Sequence, residues 1–133
     1  MNIMTLILAL IAVESNGNDL AIGDGGLAYG ALQIHACYVA DANEFAKEDW
    51  THEDAFDREE AIKIFMAYMD RYATEKRLGR RVTIEDIARI HNGGPNGYKK
   101  SSTDDYWRKV KAELIRRGVY DLSNEKAVLI YKN

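Results

Sequence analysis

The chain has 133 residues, 47% of them hydrophobic and 29% charged, with a formal net charge of -3. That length suits one domain, residues 1–133, with a core of its own; the composition excludes a disordered chain, and the mild acidity argues against a general nucleic-acid binder. The single cysteine, Cys37, excludes an intrachain disulfide and a cysteine zinc site.

A first helix is predicted over residues 2–14. Its segment MTLILALIAV, residues 4–13, resembles the core of a signal peptide but lacks a basic flank and a small-x-small cleavage site. It is also short of the ~20 residues that span a bilayer. It reads as a buried core helix without stable membrane insertion, and no export signal is expected. A Gly-rich stretch follows, SNGNDLAIGDGGLAYG, whose Gly, Asn and Asp residues suit tight turns. Gly23-Asp24-Gly25-Gly26 between Ile22 and Leu27 predicts a small β-hairpin near residues 20–29. A second helix is predicted over 31–45.

Asp57 and Glu60 form a capping-box pattern opening a third helix. Ile62, Phe65, Met66, Met69, Tyr72 and Ala73 recur at helical spacing as its core stripe, and Gly79 stops it. A fourth helix opens at Thr83, with Asp86 at its third position, and carries Ile84, Ile87, Ala88 and His91. After the loop HNGGPNGYKK, a fifth starts near Thr103, carries Tyr106, Trp107, Val110 and Leu114, and stops at Gly118. In the tail, VLIY fits a strand or a short helical turn. The fold class is therefore mainly α (α+β), with five or more helices and one small hairpin. Basic residues gather at Arg77, Arg80 and Arg81, and at Lys99 and Lys100; solvated surface is the plainer reading of the first group.

Two carboxylates stand in unlike settings. Glu14 ends an apolar segment, where burial is expected to favour its protonated form. Asp24 lies in a polar, glycine-flanked turn, where it is expected to stay ionised. Such a pair can divide the work of proton donor and nucleophile that breaking a glycosidic bond requires. Taken singly, each has a plainer reading, as a helix-end carboxylate and an ordinary turn residue.

The chain resembles a known family along most of its length. ESNGNDLAIGDGGLAYGALQI is similar to the signature of the lysozyme superfamily: Glu-Ser, a loop, then Gly-x-x-Gln-Ile. ARIHNGGPNGYKKSSTDDYWRKV resembles the invertebrate-type (destabilase-like) lysozymes, in which an HNGGP loop precedes a Tyr-Trp helix, and QIHACYVADA and YMDRYA fit the same family in order. The resemblance implies a lysozyme-like fold, Glu14 as the acid and Asp24 as the second carboxylate. It also implies hydrolysis, with retention, of the β-1,4 bond between N-acetylmuramic acid and N-acetylglucosamine in peptidoglycan. Tyr29, Gln33, His91 and Asn92 fall where the superfamily lines its sugar cleft. Ser15, Tyr38 and Gly93 complete the expected substrate-binding set, beside plainer readings of His91 as a helix cap and Asn92-Gly93 as turn chemistry.

No metal or other cofactor is expected, the partner is peptidoglycan glycan, and the chain is expected to be a monomer. Family members are cysteine-rich and secreted. Here the positions that would be bridged carry residues such as Asn18, Ala21, Tyr29 and Tyr98. That departure leads to the expectation of a bacterial or phage form, such as an endolysin, made in a reducing cytoplasm and acting on the cell wall after release. Some family members also cleave isopeptide bonds with a serine and a basic partner, but no Ser-Lys or Ser-His pair is recognisable here.

The sequence leaves two rival readings open. A lytic transglycosylase would use Glu14 alone and leave 1,6-anhydro ends. A glycan-binding module would have kept the fold without turnover. The histidines His35, His52 and His91 lack paired metal-ligand spacing, and GDGGLAYG lacks the strand-to-helix context of a nucleotide loop.

Overall fold

A computed structural model describes residues 1–120. The predicted VLIY segment lies outside the described residues. Among them are six α-helices and one two-stranded hairpin, as the apolar patterning implied: α1 Ile3–Ser15, β1 Ile22–Gly23, β2 Ala28–Tyr29, α2 Ala36–Ala46, α3 Arg58–Tyr72, α4 Glu75–Leu78, α5 Ile84–Gly93 and α6 Asp104–Arg116. No helix among the described residues is long and apolar enough to cross a membrane. The chain divides into two compact units, one made of Met1–Val13 with Tyr72–Asn133, the other of Glu14–Arg71.

In the first unit, α1 buries Leu6, Ile7, Ala9, Leu10 and Ile11 and leaves Met4 and Leu8 exposed. α5 packs against α6 and against the turns that join them. Its N-terminus is a complete capping box: Thr83 Oγ1 accepts from the Asp86 amide at 3.2 Å, and Asp86 Oδ2 accepts from the Thr83 amide at 2.9 Å. Arg80 grips both oxygens of the same buried carboxylate at 2.7 and 2.9 Å. α6 buries Trp107, Val110 and Leu114 as its spacing predicted, and Tyr106 is half-buried. Arg89 joins the unit internally, donating to Glu85, Thr103, Asp104 and the Lys100 carbonyl.

Two predicted helices differ in extent. The third ends at Tyr72 instead of reaching Gly79. Thr74 takes an extended backbone, accepts from the Arg77 amide at 3.1 Å and opens the separate short helix α4, which Gly79 stops at φ 75°. Its buried face is also rotated from the predicted stripe. Ala61, Ile64, Phe65, Tyr68 and Met69 are buried, at the i, i+3, i+4, i+7, i+8 spacing of a wide packed face, whereas Ile62, Met66 and Tyr72 are half-buried. The Asp57 cap is present, with Asp57 Oδ1 accepting from the Glu60 amide at 3.1 Å, but the Glu60 carboxylate accepts from the Trp50 indole at 2.9 Å.

The second helix begins at Ala36, five residues later than predicted. Residues 30–34 are instead folded back on the hairpin. The Gln33 amide donates to the Gly30 carbonyl at 3.0 Å, and Tyr29 and Ile34 exchange backbone hydrogen bonds of 3.0 and 2.9 Å. With Gln33 at φ 52°, this segment cannot be helical. The hairpin pairs Ile22 with Tyr29 and Gly23 with Ala28, across a turn at Asp24–Gly26. Gly30 is obligatory beside it: at φ 82°, a β-carbon would fall 1.9 Å from the Ala55 carbonyl oxygen.

Candidate active site

Glu14 and Ser15 form the last turn of α1. Glu14 is half-buried. Ser15 Oγ donates to the Ala31 carbonyl at 2.9 Å, tying the helix end to the segment after β2. Tyr38, on the first turn of α2, is buried and stacks flat on Tyr68 of α3, with ring centroids 3.7 Å apart and planes 6° from parallel. Burial holds its hydroxyl well above the ordinary tyrosine range, and the negative charge available to Tyr68 and to Glu14 adds in the same direction. Tyr38 therefore stands within the electrostatic reach of Glu14 as a neutral hydroxyl.

Asp24 occupies the hairpin turn in the left-handed region, at φ 51°, which Asp tolerates better than most residues. Its side chain is 65% exposed, and its Oδ2 accepts from Nε2 of His35 at 2.9 Å. Gln33 faces inward to the hairpin. Its side-chain amide donates to the Gly30 carbonyl at 3.0 Å and the Ala21 carbonyl at 3.3 Å, and Oε1 lies where a β-carbon on Gly23 would be. Tyr29 stacks on His52, with centroids 3.6 Å apart, and on Phe56, at 4.5 Å. Nε2 of His52 lies 2.7 Å from the Ile34 carbonyl. A carbonyl only accepts, so Nε2 carries the proton.

His91, Asn92 and Gly93 lie at the end of α5, in the other unit. His91 is buried, Asn92 is exposed, and Gly93 closes the helix. The Gly93 carbonyl accepts from Lys100 Nζ at 2.8 Å, which fastens the HNGG turn to the loop that follows. Glu14, Ser15, Asp24, Tyr29, Gln33 and Tyr38 all belong to the unit Glu14–Arg71. Within it the structure joins Tyr38 to Glu14 electrostatically, and Gln33 and Tyr29 to the frame that carries Asp24.

Three residues of this arrangement were not singled out from the sequence: His35, His52 and Tyr68. Tyr68 lies in the YMDRYA segment and shares the spacing of the buried face, so it had a signal. His35 and His52 had none, because their partners are an aspartate 11 residues away and a carbonyl 18 residues away, set by the folded-back segment.

The fold is mainly α, with one carboxylate at a helix end and a second in a short hairpin turn. The sequence model named destabilase matches residues 5–113. The chain is 51% identical over 47 residues to Lysozyme 1 of Crassostrea virginica, covering 35% of this chain and 24% of that protein. It is 40% identical over 83 residues to the invertebrate-type lysozyme of Ruditapes philippinarum, covering 62% of this chain and 58% of the relative. The matched stretches thus span less than two thirds of these relatives. The inhibitor-bound lysozyme from Meretrix lusoria superposes with a TM-score of 0.72 at 29% identity, over 87% of this chain and 93% of that one. The chain belongs to the destabilase family.

The expected bacterial or phage form is overturned, because the matched relatives are mollusc and nematode lysozymes. Scarcity of cysteine says how a fold is cross-linked. A chain of this length can bury enough core without bridges, so the scarcity carries no information about lineage.

Proposed function

We propose that the protein is a muramidase, cutting the β-1,4 bond between N-acetylmuramic acid and N-acetylglucosamine in peptidoglycan with retention at the anomeric carbon. The observation that supports this most is the pair of carboxylates in unlike settings within one unit: Glu14, half-buried with a neutral tyrosine in its field, and Asp24, exposed in a turn and held by an imidazole. Glu14 gives its proton to the leaving oxygen while Asp24 attacks the anomeric carbon, forming a glycosyl ester. The Glu14 carboxylate then takes a proton from water as that water displaces Asp24. His91, Asn92 and Gly93 are our candidates for direct sugar contact. Ser15, Tyr29, Gln33 and Tyr38 brace the segments that carry Glu14 and Asp24. No cofactor enters this scheme, and we place its action in the bacterial cell wall, by a monomer.

The test is digestion of purified peptidoglycan by the wild type, Glu14→Gln and Asp24→Asn, read by mass spectrometry of the soluble fragments. Reducing-end muropeptides are expected from the wild type. Glu14→Gln should lower kcat/KM by roughly 10²–10⁴-fold, and Asp24→Asn should be comparably impaired. Anhydro-muropeptides, with Asp24→Asn still active, would make the protein a lytic transglycosylase. Binding without fragments from the wild type would reduce it to a glycan-binding module.

A further inference from the structure

The proposed nucleophile sits on the exposed tip of a hairpin, a poor place to hold a reacting atom still. The structure supplies an anchor. Nε2 of His35 donates to Asp24 Oδ2 at 2.9 Å. His35 is itself fixed by backbone on both sides. The residue before it, Ile34, exchanges two hydrogen bonds with Tyr29, and its carbonyl also accepts from Nε2 of His52. The His35 carbonyl accepts from the Tyr38 and Val39 amides, at 3.1 and 3.2 Å, as α2 begins. The ring therefore projects from the rigid corner between hairpin and helix.

We infer that His35 is a positioning residue for Asp24. Its ring engages Oδ2 and holds the carboxylate in one rotamer, so that Oδ1 is the oxygen presented to the anomeric carbon. This rests on the reading of Asp24 as the second carboxylate of a retaining hydrolase. The pair has little to do with stability, since its side chains are 40% and 65% exposed and exposed ion pairs contribute little to folding. A displaced reacting group, by contrast, can cost about 10²-fold in rate. In this enzyme the loss would fall on kcat, because Asp24 acts on the sugar after it is bound.

The experiment compares wild type, His35→Leu, His35→Gln, His35→Glu and Asp24→Asn on solubilised peptidoglycan, read by release of reducing ends, with a melting temperature for each. His35→Leu should melt within about 4 °C of wild type. Its kcat should fall roughly 10–100-fold, with KM changed less than about twofold. His35→Gln keeps an N–H able to reach Oδ2 and should recover most of kcat. His35→Glu keeps the length but brings no donor, and it should not recover; this pair decides the matter if the leucine variant does not fold. Wild-type kcat in His35→Leu, a loss confined to KM, or a glutamine variant as impaired as the glutamate variant would each overturn the positioning role. An active Asp24→Asn would instead sink the underlying reading of Asp24, whereas an inactive Asp24→Asn beside a fully active His35→Leu would sink only the inference.

Discussion

Tyr38 illustrates how much a single side chain's meaning depends on where folding puts it. As part of QIHACYVADA it was expected to meet substrate. In the structure it is buried against Tyr68, and burial pushes its hydroxyl well above the ordinary range. The sign of the resulting pH dependence follows from linkage. The unfolded chain loses this proton near pH 10, whereas the folded chain retains it to higher pH. Unfolding therefore releases a proton above pH 10, and the stabilisation present below that value is lost as pH rises toward the folded value. Melting curves of wild type and Tyr38→Phe at pH 8 and pH 10.5 test this. The difference should shift in favour of the phenylalanine variant at the higher pH, and a constant offset would contradict the assignment. Gln33 makes the same point by another route: its type and motif position were legible, but its bonds to Gly30 and Ala21 depend on a left-handed backbone that a one-dimensional pattern does not encode.

At the scale of elements, local signals were most reliable where the partners are three residues apart. Thr83 and Asp86 form the reciprocal cap that their spacing predicted, and α5 starts where it should. Thr83→Ala removes the acceptor for the Asp86 amide and should cost about 1 kcal/mol. For a chain of this size that is a fall of about 4 °C in melting temperature. An unchanged melting temperature would mean that the Arg80 grip on Asp86 holds the turn without the hydroxyl. The second helix shows the opposite case. Ala31, Leu32 and Ile34 are all buried and apolar, which a pattern reader assigns to a helix, yet residues 30–34 belong to the hairpin frame. The close approach of Gly30 to the Ala55 carbonyl is the tertiary contact that decides it.

For the molecule as a whole, the single cysteine means that no internal bridge constrains the unfolded chain. Each unit has its own fully buried apolar residues, Leu6, Ile7, Leu10, Ile87, Ile90 and Leu114 in the first and Ile64 and Phe65 in the second. No buried side-chain nitrogen or oxygen among the described residues lacks a hydrogen-bond partner. Cys37 is exposed on α2. Melting temperature and wall-lytic activity should therefore be the same with and without a thiol reductant. A drop under reducing conditions would reveal a bridge between two copies through Cys37. This is a different way of supporting a lysozyme-like fold from the cysteine-rich one that the family resemblance implies.

The sequence by itself determined the mainly α class, the hairpin and the starts of α1, α5 and α6, because caps, turn glycines and apolar periodicity act between residues a few positions apart; the destabilase family was legible in motifs that run in order along the chain. Only the tertiary structure decided that α3 stops at Tyr72, that α2 waits until Ala36, that Gln33 faces the hairpin, and that His35 reaches Asp24. Each of these depends on a contact between distant parts of the chain or on a backbone conformation that neighbours in space impose. Composition and spacing carry no record of such contacts, and they become visible only when the folded-back segment brings the corner of α2 against the hairpin turn.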